Sequence, residues 1–332
     1  PDSGYLNEKE AEWENRKRAR KGKGWITPLY TREDAEASIG LFRGLEYESP
    51  TRIAPGVSLT LFDAGHILGA SIVQLDYDGK DGKRTLVFSG DLGYRDAPLM
   101  DPTTRLTHAD AVLMESTYGD RDHRPIAETF AELTSVFESA RAAQGNILIP
   151  AFTVGRTQDL LYLMEEHFDE WNLGKWNIFL DSPMGISATK VYSQFRHLFA
   201  ATLFEPKSDY PNLPNLYATR SPEESMTINE IEAGAIIIAG SGMCNGGRII
   251  HHLKHNIARK GAHVMIVGYQ AYGTLGRKLV DGDQQVKIHG DMYPVRAKIH
   301  TVGGLSAHAD IDDLLRWVRN FNSDPAMHVV HG

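Results

Sequence analysis

The chain has 332 residues, 42% apolar and 23% charged, which at roughly 150 residues per domain suggests two globular domains. No run reaches the ~20 apolar residues of a membrane helix, no signal-peptide pattern opens the chain, and the single cysteine, Cys244, excludes a disulfide framework or a Cys-rich zinc cluster. The net charge of −8 argues against a protein that wraps duplex nucleic acid non-specifically. Its 14 histidines leave imidazole and carboxylate as the metal ligands on offer. The expected location is cytoplasmic, with no membrane partner.

Residues 1–50 are polar and mostly helical in character. Asn15–Gly24 (NRKRARKGKG) carries six basic residues that read either as a solvated face or as a phosphate-contacting edge. From Gly56 the pattern turns to short strands at Gly56–Ala64, Ser71–Tyr77, Thr85–Ser89 and Ala111–Glu115, with Asp78–Lys83 (DGKDGK) as a hairpin connection. After Pro125, helices and strands alternate. The spacing predicts helices over Ile126–Gln144, Gly155–Phe168, Gly185–Phe199, Gly247–Ala258 and Thr274–Val280. Between them lie the apolar strands Asn146–Pro150, Asn177–Leu180, Ala235–Ala239 and His263–Val267. Fully apolar strands alternating with helices imply a parallel sheet covered on both faces. Strands return at Val286–Ile288 and Val295–Thr301, followed by helix Ile311–Phe321 and strand Met327–His331. The simplest organisation is a β-rich domain (1–122 and 291–332) interrupted by an inserted α/β domain (123–290). The start at Pro1 and the stop at Gly332, beside a strand end, read as cuts through a larger polypeptide.

Four segments place an ionisable residue at the end of an apolar strand beside glycines or small residues, where it can face an open cleft. They are Asp63–Ser71 (DAGHILGAS), Ser89–Gly93 (SGDLG), Glu115–Arg121 (ESTYGDR) and Leu305–Asp310 (LSAHAD), and the terminal His328–Gly332 (HVVHG) makes a fifth. Taken singly, His66 reads as a core histidine, Asp91 as a turn residue and His331 as the end of a strand. Taken together, a carboxylate and several neutral imidazoles suit a two-metal site. Two ions about 3.5–4 Å apart can activate a hydroxide for phosphodiester hydrolysis.

In this order, GHILGAS, SGDLG, ESTYGDR, SAHAD and VVHG resemble the metallo-β-lactamase-fold nucleases with an inserted β-CASP domain, a group that includes the RNA-cleaving subunit of the cleavage and polyadenylation complex and its prokaryotic relatives. The resemblance covers nearly the whole chain and implies an αββα sandwich interrupted by an α/β domain. It also implies that His66 ligates a first zinc, Asp91 bridges both zincs and His331 ligates the second, with Mn²⁺ as the other metal to consider. His308 is then the general acid for the leaving oxygen, and Glu115 holds and tunes it. These roles are chemically coherent, because a ribose alkoxide leaves poorly unless protonated and a carboxylate beside an imidazole favours its charged form. Histidine at the last motif, where DNA-acting members tend to carry valine, favours RNA as substrate. A homodimer is the assembly left open.

In one respect the chain departs from the family. The signature His-x-His-x-Asp-His lies upstream of all these motifs, and the chain contains no His-x-His. Asp122-His123 falls after Glu115, out of place for it. His66, Asp91 and His331 are three ligands for two ions, whereas tetrahedral zinc takes about four each. The expected activity is metal-dependent RNA hydrolysis, with a non-catalytic RNA-binding or scaffold member as the alternative. Elsewhere, His251, His252 and His255 read as a polar helix face or, at i,i+4, a metal pair. Gly240–Gly247 (GSGMCNGG) reads as a tight turn or as a phosphate cradle at a helix start. The loops Ala151–Arg156 and Asp181–Gly185 sit at strand ends where ligands bind parallel sheets, with Arg156 and Arg248 as candidate phosphate contacts.

Overall fold

The computed structural model describes residues 1–80, 82–200 and 210–331. Asp81 of the expected hairpin turn and Gly332 of the terminal motif lie outside them. Contacts divide the chain into Pro1–Ser49 and Pro50–Gly332.

In the first unit, α1 (Asp2–Arg20) and α2 (Arg32–Ile39) are joined by a loop that Asn15 fastens. Its amide donates to the Ile26 carbonyl and accepts from the Ile26 N–H, both at 2.8 Å. Thr31 and Asp34 close a capping box at the start of α2. The basic run occupies the last turns of α1 and the loop beyond. Arg16, Lys17, Arg20, Lys21 and Lys23 are exposed there, and Lys17 lies over the Trp13 ring.

The second unit begins with β1 (Thr51–Ala54), β2 (Val57–Asp63), β3 (Ser71–Gly79), β4 (Gly82–Phe88) and β5 (Ala111–Glu115). Then follow α3 (Ile126–Ala142), β6 (Ile147–Pro150), α4 (Arg156–Glu166), β7 (Asn177–Leu180), α5 (Pro183–Gln194), β8 (Leu216–Ala218), α6 (Pro222–Ile228) and β9 (Ala235–Ala239). The remainder is α7 (Ile249–Asn256), β10 (His263–Ile266), α8 (Leu275–Val280), β11 (Gln285–Ile288), β12 (Asp291–Pro294), β13 (Lys298–Thr301), α9 (Ile311–Val318) and β14 (Ala326–Val330).

Two sheets result. The first runs β1-β2-β3-β4-β5-β14, antiparallel from β1 to β4 and parallel from β4 onward. Trp317 and Leu314 of α9 share its core with Ile72, Val87 and Val112. The second is all-parallel, in the order β13-β10-β6-β9-β7-β8. Its central strands are buried on both faces because their sequences are apolar at every position. Ile236 and Ile238 of β9 join α3, α4 and α5 in one core, while Ile237 joins α7 and α8 in the other. Fully burying each such side chain contributes about 1.5–3 kcal/mol.

Two sequence expectations change at this point. Val286–Ile288 enters neither large sheet, since β11 pairs only with β12 in a hairpin. Lys298–Thr301 is the edge strand of the second sheet, so that sheet's chain runs past residue 290 and the first sheet regains a strand only with β14. Leu99, Met100, Val302 and Leu305, from the segments linking the sheets, are buried in the second sheet's core. The two sheets therefore share packing where the chain passes between them.

Candidate metal centre

All five sequence motifs converge at the C-terminal ends of β2, β4, β5 and β14 and the loop before α9. His66 follows β2 in a loop closed by Ala70 N–H to the Ile67 carbonyl (2.9 Å) and Ala64 N–H to the Ala70 carbonyl (3.1 Å). Gly93 of the SGDLG loop donates to the Ala64 carbonyl at 2.7 Å, which brings Asp91 beside His66. The LSAHAD segment crosses the same loop. Gly93 forms an antiparallel bridge with His308, with the Tyr94 N–H on Ala307 (3.0 Å) and the Ala309 N–H on Leu92 (2.8 Å). His331 leaves β14, and its carbonyl accepts from the Ser116 N–H at 3.3 Å, so parallel pairing of β14 with β5 delivers it to the same place.

The Asp91 carboxylate stands between two imidazoles. Its Oδ2 is 3.9 Å from Nε2 of His66, and its Oδ1 is 3.4 Å from Nδ1 of His331. His308 faces His66 at 4.4 Å between ring centroids and His331 at 6.0 Å. Donor atoms of His66, Asp91 and His308 all lie within 4.8 Å of one another, as do those of Asp91, Glu115 and His331. The two groups share Asp91.

Glu115 is buried, and its carboxylate accepts from Nδ1 of His308 at 3.0 Å and from the Leu92 N–H. Burial pushes the Glu115 carboxyl up, but bonds from His308 and Thr117 together with the Leu92 amide outweigh it and hold its pKa below the usual carboxylate range. Burial, and then the neighbouring His308 ring, hold the His66 pKa below the ordinary imidazole range. An imidazole whose charged form is disfavoured, with its Nε2 turned to a carboxylate that a second imidazole flanks, is donor chemistry that fits a borderline divalent ion such as zinc.

His123 enters the centre from behind. Its Nε2 lies 2.9 Å from the His308 carbonyl, its N–H donates to Asp310 at 3.1 Å, and its ring sits edge-on to both Tyr94 and Tyr118. It braces the loop that carries His308, a tertiary role for which the sequence offers no local signal. Arg95 adds a second brace through ion pairs of 2.7 Å to Asp312 and to Asp313 at the start of α9.

The arginines read as phosphate contacts are engaged within the protein. Arg156 is buried and pairs with Asp159 at 3.3 Å, where burial raises the Asp159 pKa to about 6. Arg248 bonds Asp181 and the Thr219 and Arg220 carbonyls. Asp181 is buried, which pushes its carboxyl up, yet bonds from His252, Ser225, Thr219 and Arg248 bring its pKa down to about 2. That network absorbs His252, fully buried between Asp181 and Asn229. His251 lies instead beside the His289 ring. In the Gly240–Gly247 loop the amides of Ser241, Cys244 and Asn245 bond within the loop, the pattern of a self-closed turn.

Comparison with known proteins bears on this arrangement. Residues 157–279 match the family described as the Beta-Casp domain, and residues 292–332 match the Zn-dependent metallo-hydrolase RNA specificity domain. The chain is 37% identical to Ribonuclease TTHA0252 of Thermus thermophilus over 92% of its own length and 69% of that protein's. The chain belongs to the β-CASP nucleases of the metallo-β-lactamase fold. Within that family it is 30% identical to the transcription termination factor FttA of Methanocaldococcus jannaschii, over 91% of this chain and 49% of that protein. It is 28% identical to an RNase J-like protein of the same organism, over 92% of this chain and 71% of that protein. The chain thus spans about half the length of the archaeal termination factors it matches. The matched residues 292–332 include His308 and His331, two members of the cluster. Among the described residues, no helix is long and apolar enough to cross a membrane.

Proposed function

We propose that this chain carries part of the active centre of a metal-dependent ribonuclease that hydrolyses RNA phosphodiesters. The observation that carries the reading is the His308–Glu115 pair, set within reach of the Asp91 carboxylate and its two flanking imidazoles. His66 and Asp91 would hold one divalent ion and Asp91 and His331 a second, and both Zn²⁺ and Mn²⁺ suit these donors. When bound, the ions supply Lewis-acid stabilisation of charge on the phosphoryl oxygens. Glu115 accepts a hydrogen bond from His308 Nδ1, which fixes the ring and leaves Nε2–H to protonate the departing ribose oxygen. RNA as the substrate rests on His331 at the last motif and on the RNA specificity domain and ribonuclease relative matched by the chain.

A second reading is a non-catalytic RNA-binding member of the family, which would hold RNA without holding metal. Zinc content and cleavage of a single-stranded RNA, measured together on His308→Ala and Asp91→Ala, separate the two readings. A nuclease loses cleavage in both variants but loses metal only in Asp91→Ala. Retained cleavage in His308→Ala removes it as the proton donor, and unchanged metal in Asp91→Ala removes it as the bridge. RNA binding with neither metal nor cleavage in the parent protein selects the scaffold reading.

A further inference from the structure

Three aromatic side chains stand exposed at one end of the second sheet. Phe152 follows β6, and Tyr269 and Tyr272 follow β10, the adjacent strand. They are 45%, 67% and 97% exposed, an arrangement with no folding benefit. The backbones of Phe152 and Tyr269, by contrast, are tied to the fold. The Phe152 carbonyl accepts from both the N–H and the hydroxyl of Thr157, and the ring covers Gly242, where a β-carbon would come within 2.9 Å of it. Gln270, buried between the two tyrosines, donates to the carbonyls of Gly242, Gly268 and Tyr269 at 2.9–3.1 Å and so ties the loops after β9 and β10 together.

The platform leads to the metal centre. Gly155, three residues beyond Phe152, packs so closely on Ile67 that a β-carbon there would lie 2.7 Å from its methyl, and Ile67 adjoins His66. The loops 151–156, 240–247 and 267–273 contain no acidic residue and only one basic residue, Arg156, which is buried against Asp159. An uncharged aromatic surface is suited to the faces of unpaired bases rather than to phosphates.

We propose that Phe152, Tyr269 and Tyr272 form a base-stacking platform that holds single-stranded RNA as it approaches the His66–Asp91 centre. The proposal rests on RNA being the substrate. Stacking is sequence-tolerant, so the platform would select for unpaired strands and not for particular bases.

The test is equilibrium binding of a labelled single-stranded RNA to the full chain, with EDTA present to prevent cleavage and salt varied. A second RNA of the same length carries an abasic tract. Tyr269→Ala and Tyr272→Ala should each weaken binding of the intact RNA by about 5- to 150-fold, the equivalent of 1–3 kcal/mol per stacked base. Tyr272→Phe should bind as the parent does. The slope of affinity against salt should not change, because no phosphate contact is removed. The abasic RNA should bind weakly and be indifferent to the substitutions. Intact-RNA affinity unmoved by both alanine variants, or an equal loss on the abasic RNA, overturns the platform. RNA binding left intact while self-association of the protein disappears assigns the tyrosines to a protein contact and also overturns it. A parent chain that binds no RNA overturns the RNA reading of the centre as well.

Discussion

Glu115 shows most clearly what a single buried group does in this protein. Its carboxylate is fully enclosed, and it stays below the usual carboxylate range only because its bonds from His308, Thr117 and the Leu92 amide outweigh burial. Glu115→Gln preserves shape and keeps an oxygen for the Leu92 N–H but removes the charge that faces His308 Nδ1. If His308 supplies the leaving-group proton, the variant should retain its fold and metal content and lose about 10²-fold or more in kcat, the range of general acid catalysis, with KM little changed. A loss of only a few-fold in steady-state kinetics would separate Glu115 from the proton transfer. The sequence made this pair visible only through motif order, since residues 115 and 308 share no local pattern. Asp91, His66 and His331 were legible for the same reason. His123 was not, because its contact with the His308 carbonyl depends on a fold that brings the two segments together.

At the level of elements, legibility followed burial. The strands β6 and β9 are legible almost to the residue because burial on two faces demands unbroken apolar sequence. Strands β1 and β12 were missed because exposed edge and hairpin positions demand no pattern, and β8 because three residues carry too little of one. Strand order was hidden for a different reason. β14 pairs with β5 across some two hundred residues of chain, and local periodicity does not encode that pairing. The same contrast predicts energetics. Ile236 and Ile237 face opposite cores from one strand and are both fully buried, so Ile→Ala at either should cost about 2–5 kcal/mol. Met292 of the exposed β12 is 57% accessible, and Met292→Ala should stay within about 0.5 kcal/mol of the parent. Urea denaturation of the three variants checks the ranking. A cheap substitution at one of the two isoleucines would mean that its side of the sheet is not packed as described.

For the molecule as a whole, the least expected electrostatic feature lies away from the candidate centre, where β10 and β13 join. His263 Nδ1 and His300 Nε2 are 2.8 Å apart, and the rings stack at 5.0 Å between centroids. Such a hydrogen bond needs one nitrogen to donate and the other to accept, so it survives only while the accepting ring is neutral. Burial, then His263 and Lys298, push the His300 pKa from the ordinary 6.5 down to about 4, and burial followed by Lys298 lowers that of His263. Both folded pKa values therefore lie below the unfolded ones. Between about pH 6.5 and pH 4 the unfolded chain binds more protons than the folded one, so the stabilisation is present above pH 6.5 and is lost as pH falls toward 4. β13 is an edge strand and the last of the second sheet before the chain returns to the first, so loosening it would release the segment that leads to His308. His300→Phe keeps a ring against His263 but cannot take up a proton. From pH 7 to pH 5 the parent should lose a few degrees more in melting temperature than the variant, a difference that thermal scans on the two proteins in matched buffers resolve. Parallel profiles would show that the pair is already charged in the fold, or that protonating it costs the fold nothing.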